Sequence, residues 1–350
     1  MKKLYVYADF DWLKEVELIG ELGYESLRGA DSYSFTFNNE WLRQHSDLFL
    51  SDDLNNYPGQ QYTQPGKDIF GCFSDALPDR WGRTLLLRRE QIVAAEEQRP
   101  VRRLSSFDFL TGIDDFSRMG GFRFKEDLDG EFINVSESLK IPPLTDIREL
   151  IAASAEIEKC EENNMLPDRK WIAQLVQPGT SLGGARPKAN VVDADKTLYV
   201  AKFPSRKDDY DVGLWEHFGH LLATKTGINA AKTKMLATGE KYHTLLSQRF
   251  DRTQEGKRIH LASAMTLLGL SDGDNARHGY LDIVDFIIQS CTDVERNLQE
   301  LYRRVAFNIC IGNSDDHFRN HGFLLTAKGW ILSPAYDMNP TLNEYQSLLV

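Results

Sequence analysis

The run Gly312-Asn313-Ser314-Asp315-Asp316-His317-Phe318-Arg319-Asn320-His321-Gly322, followed at Asp337 by a Tyr-Asp-Met-Asn turn, constrains this chain more than any other stretch. Before it, Leu301 to Cys310 carries apolar residues at helical intervals, Gly312 can end that helix, and Asn313 to Arg319 reads as a polar loop. After it, Gly322-Phe-Leu-Leu, Ala327-Lys-Gly329 and Trp330-Ile-Leu-Ser read as a β-hairpin that returns Pro334-Ala-Tyr-Asp337 to the loop. Two carboxylates, Asp315 and Asp337, and the Asn320 amide are thereby expected in one place. A hydroxyl attacking a terminal phosphate needs a carboxylate to orient it and take its proton, and the phosphate charge needs divalent metal on oxygen ligands. These residues suit that chemistry, with the ordinary turn-forming habit of Asp and Asn as the plain alternative. His317 and His321 also raise a zinc or iron site, but they stand on a loop with no third ligand nearby, so His317 is read as a brace.

Other parts that phosphoryl transfer requires lie upstream. Thr197-Leu-Tyr-Val-Ala-Lys-Phe203 alternates as a strand and presents Lys202, either to nucleotide phosphates or as an ordinary edge-strand lysine. Leu214 to Ala223 has a helical apolar stripe with Glu216 near its first turn, either steadying Lys202 or simply favouring the helix dipole. Gly179-Thr-Ser-Leu-Gly-Gly-Ala-Arg-Pro-Lys188 combines glycines with donors and charge: Gly183, Gly184 and Ala185 allow backbone close to phosphate, and Lys188 adds charge. Its glycine spacing is not the Walker pattern, and a plain strand-to-strand turn competes. Thr244 to Arg252 is an apolar strand turning polar at its end. There Gln248, Arg249 and Phe250 suit a linker that faces adenine, a surface strand end being the other reading.

Taken together, Ser181-Leu-Gly-Gly-Ala-Arg-Pro-Lys188, Ala201-Lys202, Arg249-Phe-Asp-Arg252, Gly312 to Asn320 and Tyr336-Asp-Met338 resemble the HipA family of serine/threonine kinases, toxins of bacterial toxin–antitoxin pairs. Leu18-Ile-Gly-Glu-Leu, Tyr33-Ser-Phe-Thr-Phe, Ala76-Leu-Pro-Asp79 and Arg118-Met-Gly-Gly-Phe-Arg-Phe124 extend the likeness to the amino-terminal part. The resemblance implies an α+β, protein-kinase-like two-lobed fold behind an amino-terminal β-rich domain. The expected divisions are 1–142 for that domain, 143–253 for the small lobe and 254–350 for the helical large lobe. It implies ATP and Mg2+ as cofactors, Asp315 as catalytic base, Asn320 and Asp337 as magnesium ligands, Lys202 on the phosphates, and Gln248 to Phe250 against adenine. It further implies that Ser181, with Thr180 a second acceptor, is phosphorylated by the kinase itself, switching activity off by placing negative charge among nucleotide phosphates.

A small HipB-like helix-turn-helix antitoxin is the implied partner, with DNA reached only through it, and a protein substrate in the class that includes aminoacyl-tRNA synthetases. Two departures stand out: Arg186-Pro187 replaces the family's frequent Gln-Glu, and members usually continue with more helices than the thirteen residues after Asp337 allow, so the carboxy-terminal lobe is expected to be truncated or small. Two other classes fit the motif: a small-molecule or lipid kinase of related fold, and a catalytically silent subunit that binds nucleotide or antitoxin.

Composition narrows the setting. With 41% apolar and 27% charged residues the chain reads as ordinary globular protein, and a net charge of -11 disfavours extensive direct contact with DNA or anionic membranes. Cys72, Cys160, Cys291 and Cys310 show no paired spacing and read as reduced core thiols, which with the absence of a signal core or membrane-length apolar window implies the cytoplasm.

Overall fold

Alternation shapes the first sheet. In Lys2–Ala8 (β1) Leu4, Val6 and Ala8 turn inward and are fully buried, while their neighbours face outward. With Glu17–Leu27 (β2), Ala30–Phe37 (β3), Gln60–Tyr62 (β4) and Phe122–Lys125 (β5), this strand forms an antiparallel sheet in the order β4-β3-β2-β1-β5. Asn39–Gln44 (α1) starts where the Asn38 side chain accepts from the Glu40 and Trp41 amides, and buries Trp41. Three further helices, Gly71–Ser74 (α2), Arg80–Glu96 (α3) and Ser106–Gly112 (α4), complete this region. The computed structural model describes residues 1–27, 29–64, 66–135, 141–176, 184–271 and 278–342.

A second sheet follows two helices, Ile147–Glu162 (α5) and Arg169–Val176 (α6). Its strands are Lys188–Val192 (β6), Leu198–Lys202 (β7), Thr233–Leu236 (β8) and Thr244–Gln248 (β9), in the order β6-β7-β9-β8, and Val212–Lys225 (α7) packs on it. Trp81 and Leu85 of α3 share one apolar cluster with Ile147 and Ile151 of α5 and Val191 and Tyr199 of this sheet, so the amino-terminal region and the small lobe have a common core. The large lobe holds His260–Ser263 (β10), Ala264–Leu267 (α8), Tyr280–Ser290 (α9), Val294–Ile311 (α10) and the hairpin Gly322–Thr326 (β11) and Gly329–Leu332 (β12). That hairpin was expected; its third partner β10 was not, and the three strands pair antiparallel in the order β10-β11-β12.

Buried charge ties the amino-terminal region to the segment after β9. Asp251 is fully buried and accepts from Arg249, Arg252 and the Gly120 amide. Arg249 and Arg252 also donate to main-chain oxygens at Ser117 and Arg118, and Arg258 pairs with Asp115. This removes the alternative of a surface strand end for Arg249 and takes its guanidinium away from any adenine. The arginines outweigh the cost of burial and hold the Asp251 carboxyl well below its usual range. Asp251→Ala, which leaves two buried guanidinium groups short of a counter-charge, is expected to cost about 3–5 kcal/mol of stability. Thermal unfolding checks this; an unchanged midpoint would show that solvent or neighbouring acids replace the carboxylate.

The cysteines also depart from expectation. Cys72 is buried, but Cys160 and Cys291 are half-buried and Cys310 lies exposed on α10 rather than in the core. Among the described residues no helix is long and apolar enough to cross a membrane.

Candidate active site

Lys202 ends β7, and its position follows from the pairing of β7 with both β6 and β9. From α7, whose first turn is capped by the Asp211 side chain on the Leu214 amide, Glu216 reaches Lys202 Nζ at 2.6 Å. From the other lobe β12 leads to Ala335, which exchanges backbone hydrogen bonds with Ala231 and Asn229 and so fixes the following turn. That turn carries Asp337, at φ 54, into an ion pair with Lys202. Burial opposes the charge on Lys202, but Asp337 and Glu216 together outweigh it and hold the ammonium above its ordinary range. For Asp337 burial again opposes ionisation, and Lys202 overcomes it, lowering the carboxyl to about 2. Glu216, buried and facing the charge of Asp337, is shifted upward instead.

The loop after α10 is built largely from side chains. Gly312 ends the helix at φ 65, which a glycine adopts without steric cost. Asp315 is exposed, whereas Asp316 next to it is buried. Asn320 is buried and donates from Nδ2 to the Asp315 carbonyl at 3.0 Å. Two bonds tie the loop to the Asp337 turn: Tyr336 donates its hydroxyl to the Arg319 carbonyl, and Asn313 Nδ2 lies 3.4 Å from the Asp337 carbonyl. Lys202, Glu216 and Asp337 are thus in direct contact, and the loop bearing Asp315 and Asn320 is fastened beside them.

Beyond Lys202 and Asp337 opens a small, largely apolar cleft of about 50 Å³, walled by Met119, Val200, Ser247, Gln248, Phe250 and Tyr336. Phe250 and Tyr336 have ring centroids 5.6 Å apart. Arg249 lines the same cleft, but its guanidinium turns away into the buried charge cluster. Lys188 is almost fully buried and spends its ammonium on Asp79 Oδ2 at 3.0 Å and the Gly184 carbonyl at 2.8 Å. Gly184 and Ala185 are exposed, and nothing lies within 4 Å of where a Gly184 side chain would start. Arg186 forms a bidentate pair with Asp208. Thr180, Ser181 and Gly183 lie outside the described residues.

Residues 12–107 match the HipA N-terminal domain, and residues 180–349 match the HipA-like C-terminal domain. The chain belongs to the HipA family. Its relatives include the serine/threonine-protein kinase toxin HipA of Shewanella oneidensis, 25% identical over 349 residues, with 92% of this chain and 72% of that protein covered. A putative kinase of Haemophilus influenzae is 26% identical over 181 residues, covering 46% of this chain and 52% of the relative. Among solved structures, the complex of HipA, HipB and operator DNA from Shewanella oneidensis matches with a TM-score of 0.65 at 20% identity, over 96% of this chain and 76% of the matched one. The fold is therefore that of a HipA protein, α+β and two-lobed behind an amino-terminal β-rich region.

Within this HipA-type frame the residues available to a metal ion are oxygen donors. The Asn320 amide and the Asp337 carboxylate stand on adjoining segments, and among the described residues no group of three or more His, Cys, Asp or Glu could hold a metal. His321, an alternative ligand by sequence, is buried against Asp316. Such a donor set fits magnesium, which keeps water and phosphate oxygens in its shell, and does not fit zinc.

Sequence reasoning missed Met119 as a wall of the cleft and Asn313 as a tie to the Asp337 turn. Met119 comes from the amino-terminal region, where Gly120 at φ 71 lets the turn press against β10: a Cβ there would sit 3.2 Å from the Leu261 amide nitrogen. The glycine pair 120–121 is visible in the sequence, but nothing local says which strand it meets.

Proposed function

We propose that this chain is an ATP- and magnesium-dependent protein kinase that phosphorylates serine or threonine and is restrained by a HipB-like helix-turn-helix antitoxin. The observation that carries the reading is Lys202 held between Glu216 and Asp337 at the mouth of the apolar cleft. In this reading adenine packs against Phe250, with Met119 and Tyr336 bordering it, and the Gln248 to Phe250 backbone runs along its edge. Lys202, kept charged by its two carboxylates, leans on the α and β phosphates, while Glu216 fixes where its ammonium stands. Magnesium held by Asn320 and Asp337 would offset the phosphate charge. Asp315, exposed at the loop surface, orients the incoming hydroxyl and takes its proton, and the exposed backbone of Gly184 and Ala185 borders the phosphates with Gly183.

Lys188 enters only indirectly, by holding the Gly184 carbonyl and so the end of that loop. Ser181 and Thr180 are the proposed acceptors of self-phosphorylation. The antitoxin reading leans on the HipA chain of the Shewanella complex, which is solved together with HipB and operator DNA. DNA contact is then by way of the partner, in keeping with a net charge of -11.

The test is transfer from γ-labelled ATP in magnesium, to the protein itself and to candidate protein acceptors, followed by phosphoamino-acid analysis. Label on serine or threonine is expected, reduced about a hundredfold or more in Asp315→Asn. Undiminished transfer by that variant would defeat the role given to Asp315, and label found on small molecules but never on protein would move the enzyme to another kinase class.

A further inference from the structure

Asp316, beside the exposed Asp315, is 1% exposed and gathers donors from three elements. Its Oδ2 accepts from Tyr280 Oη at 2.5 Å and from Asn308 Nδ2 at 2.9 Å, and His321 Nε2 lies 3.1 Å away. An ionised carboxylate only accepts, so each of these groups presents its donor end. The orientation of Asn308 follows: with Nδ2 on Asp316, its Oδ1 accepts from Asn313 Nδ2 at 3.2 Å, and the same Nδ2 faces the Asp337 carbonyl. One hydrogen-bonded chain therefore runs from the first residue of α9, through Asp316, into the turn that carries Asp337.

We infer that Asp316, anchored by Tyr280 and Asn308, is a positioning residue that sets the place of Asp315 and of the Asp337 turn together. The inference rests on the kinase reading for its catalytic meaning. The loop itself has little backbone order, one short helical turn at Phe318–Asn320 being its only regular element. Ser314 and Asp315 stand in a turn, so pinning Asp316 inward holds that turn against the lobe and leaves Asp315 at its surface. A misplacement of about 1 Å at such a site costs about a hundredfold in rate. The cleft walls Met119, Val200, Ser247, Gln248 and Phe250 take no part in this chain of bonds, which reaches the cleft only at the Asp337 turn.

Tyr280→Phe removes one hydroxyl and no packing, and Asp316→Asn keeps the shape of the side chain while replacing one acceptor with a donor. Steady-state transfer from γ-labelled ATP should show kcat lower by about tenfold in each, with the KM for ATP within about twofold of the unsubstituted protein. Because both act through one network, the double variant should lose less than the product of the single losses. Deuterium uptake by the peptides spanning 312–322 and the Asp337 turn should be faster in both, with the rest of the chain unchanged. A raised KM at constant kcat, or unchanged kcat and uptake, overturns the inference. If the unsubstituted protein transfers no phosphate, the kinase reading fails instead, and uptake alone decides whether Asp316 orders the loop: faster exchange sustains it and unchanged exchange rejects it.

Discussion

Asp337→Asn is expected to reduce phosphate transfer by about a hundred- to a thousandfold while lowering the melting temperature of the nucleotide-free protein by only a few degrees, the loss of its ion pair with Lys202. Asparagine is the informative substitution because residue 337 sits at φ 54, a left-handed conformation that Asn and Asp tolerate better than other side chains. Alanine there would add backbone strain of about 1–3 kcal/mol and blur the result. Removing the charge does not strand Lys202, whose Nζ keeps Glu216 at 2.6 Å. Asparagine also keeps an oxygen toward the metal position but withdraws the negative charge that would hold a divalent ion there. Activity and melting temperature measured on one preparation separate the two effects. Lost activity with a collapsed melting temperature would mean that Asp337 serves the fold, and full activity would remove it from the site.

Lys202→Met should abolish transfer to a similar degree and, unlike the first variant, destabilise the protein by about 3–5 kcal/mol near neutral pH. It leaves Glu216 and Asp337 buried against each other with no ammonium between them. The sign of the pH dependence at Asp337 then reverses, while Glu216, already raised, keeps its sign. In the unsubstituted protein the Asp337 carboxyl is lowered to about 2, so its contribution is present above the unfolded value of about 4 and is lost as pH falls toward 2. In the variant the two carboxyls face each other without a cation, and their folded pKa values rise above the unfolded ones. Stability should therefore be greatest at the acid end and fall as pH rises through those raised values. Melting temperatures recorded from pH 5 to pH 8 check this, and a variant that gains stability with rising pH across that range would contradict it.

How much of this could be read from residues alone depends on sequence distance. The helix ending at Gly312 and the hairpin beginning at Gly322 announce themselves through local periodicity and turn chemistry, as does the strand bearing Lys202. The helix bearing Glu216 was legible for the same reason. What stayed hidden is nonlocal. Lys188 finds its acid at Asp79, 109 positions away, and the Ser263 amide is taken by Asp75, 188 positions away. No period of two or of 3.6 residues records such a partnership. Adjacent aspartates posed a related problem: the Asp-x4-Asn spacing singled out Asp315, but nothing local says that Asp316 turns inward, which the donors on α9 and α10 decide. Met119 was hidden because a wall of the cleft comes from a region that the chemistry of phosphate transfer did not point to.

The central claim is that the cleft lined by Lys202 and Asp337, with Glu216 bound to the lysine, is a nucleotide site. Calorimetric titration with a non-hydrolysable ATP analogue in magnesium tests it most directly, comparing the unsubstituted protein with Lys202→Met. The account predicts saturable one-to-one binding that weakens by about tenfold or more in the variant and weakens again when magnesium is chelated. Absence of binding, or equal affinity in both proteins with and without the metal, would contradict it.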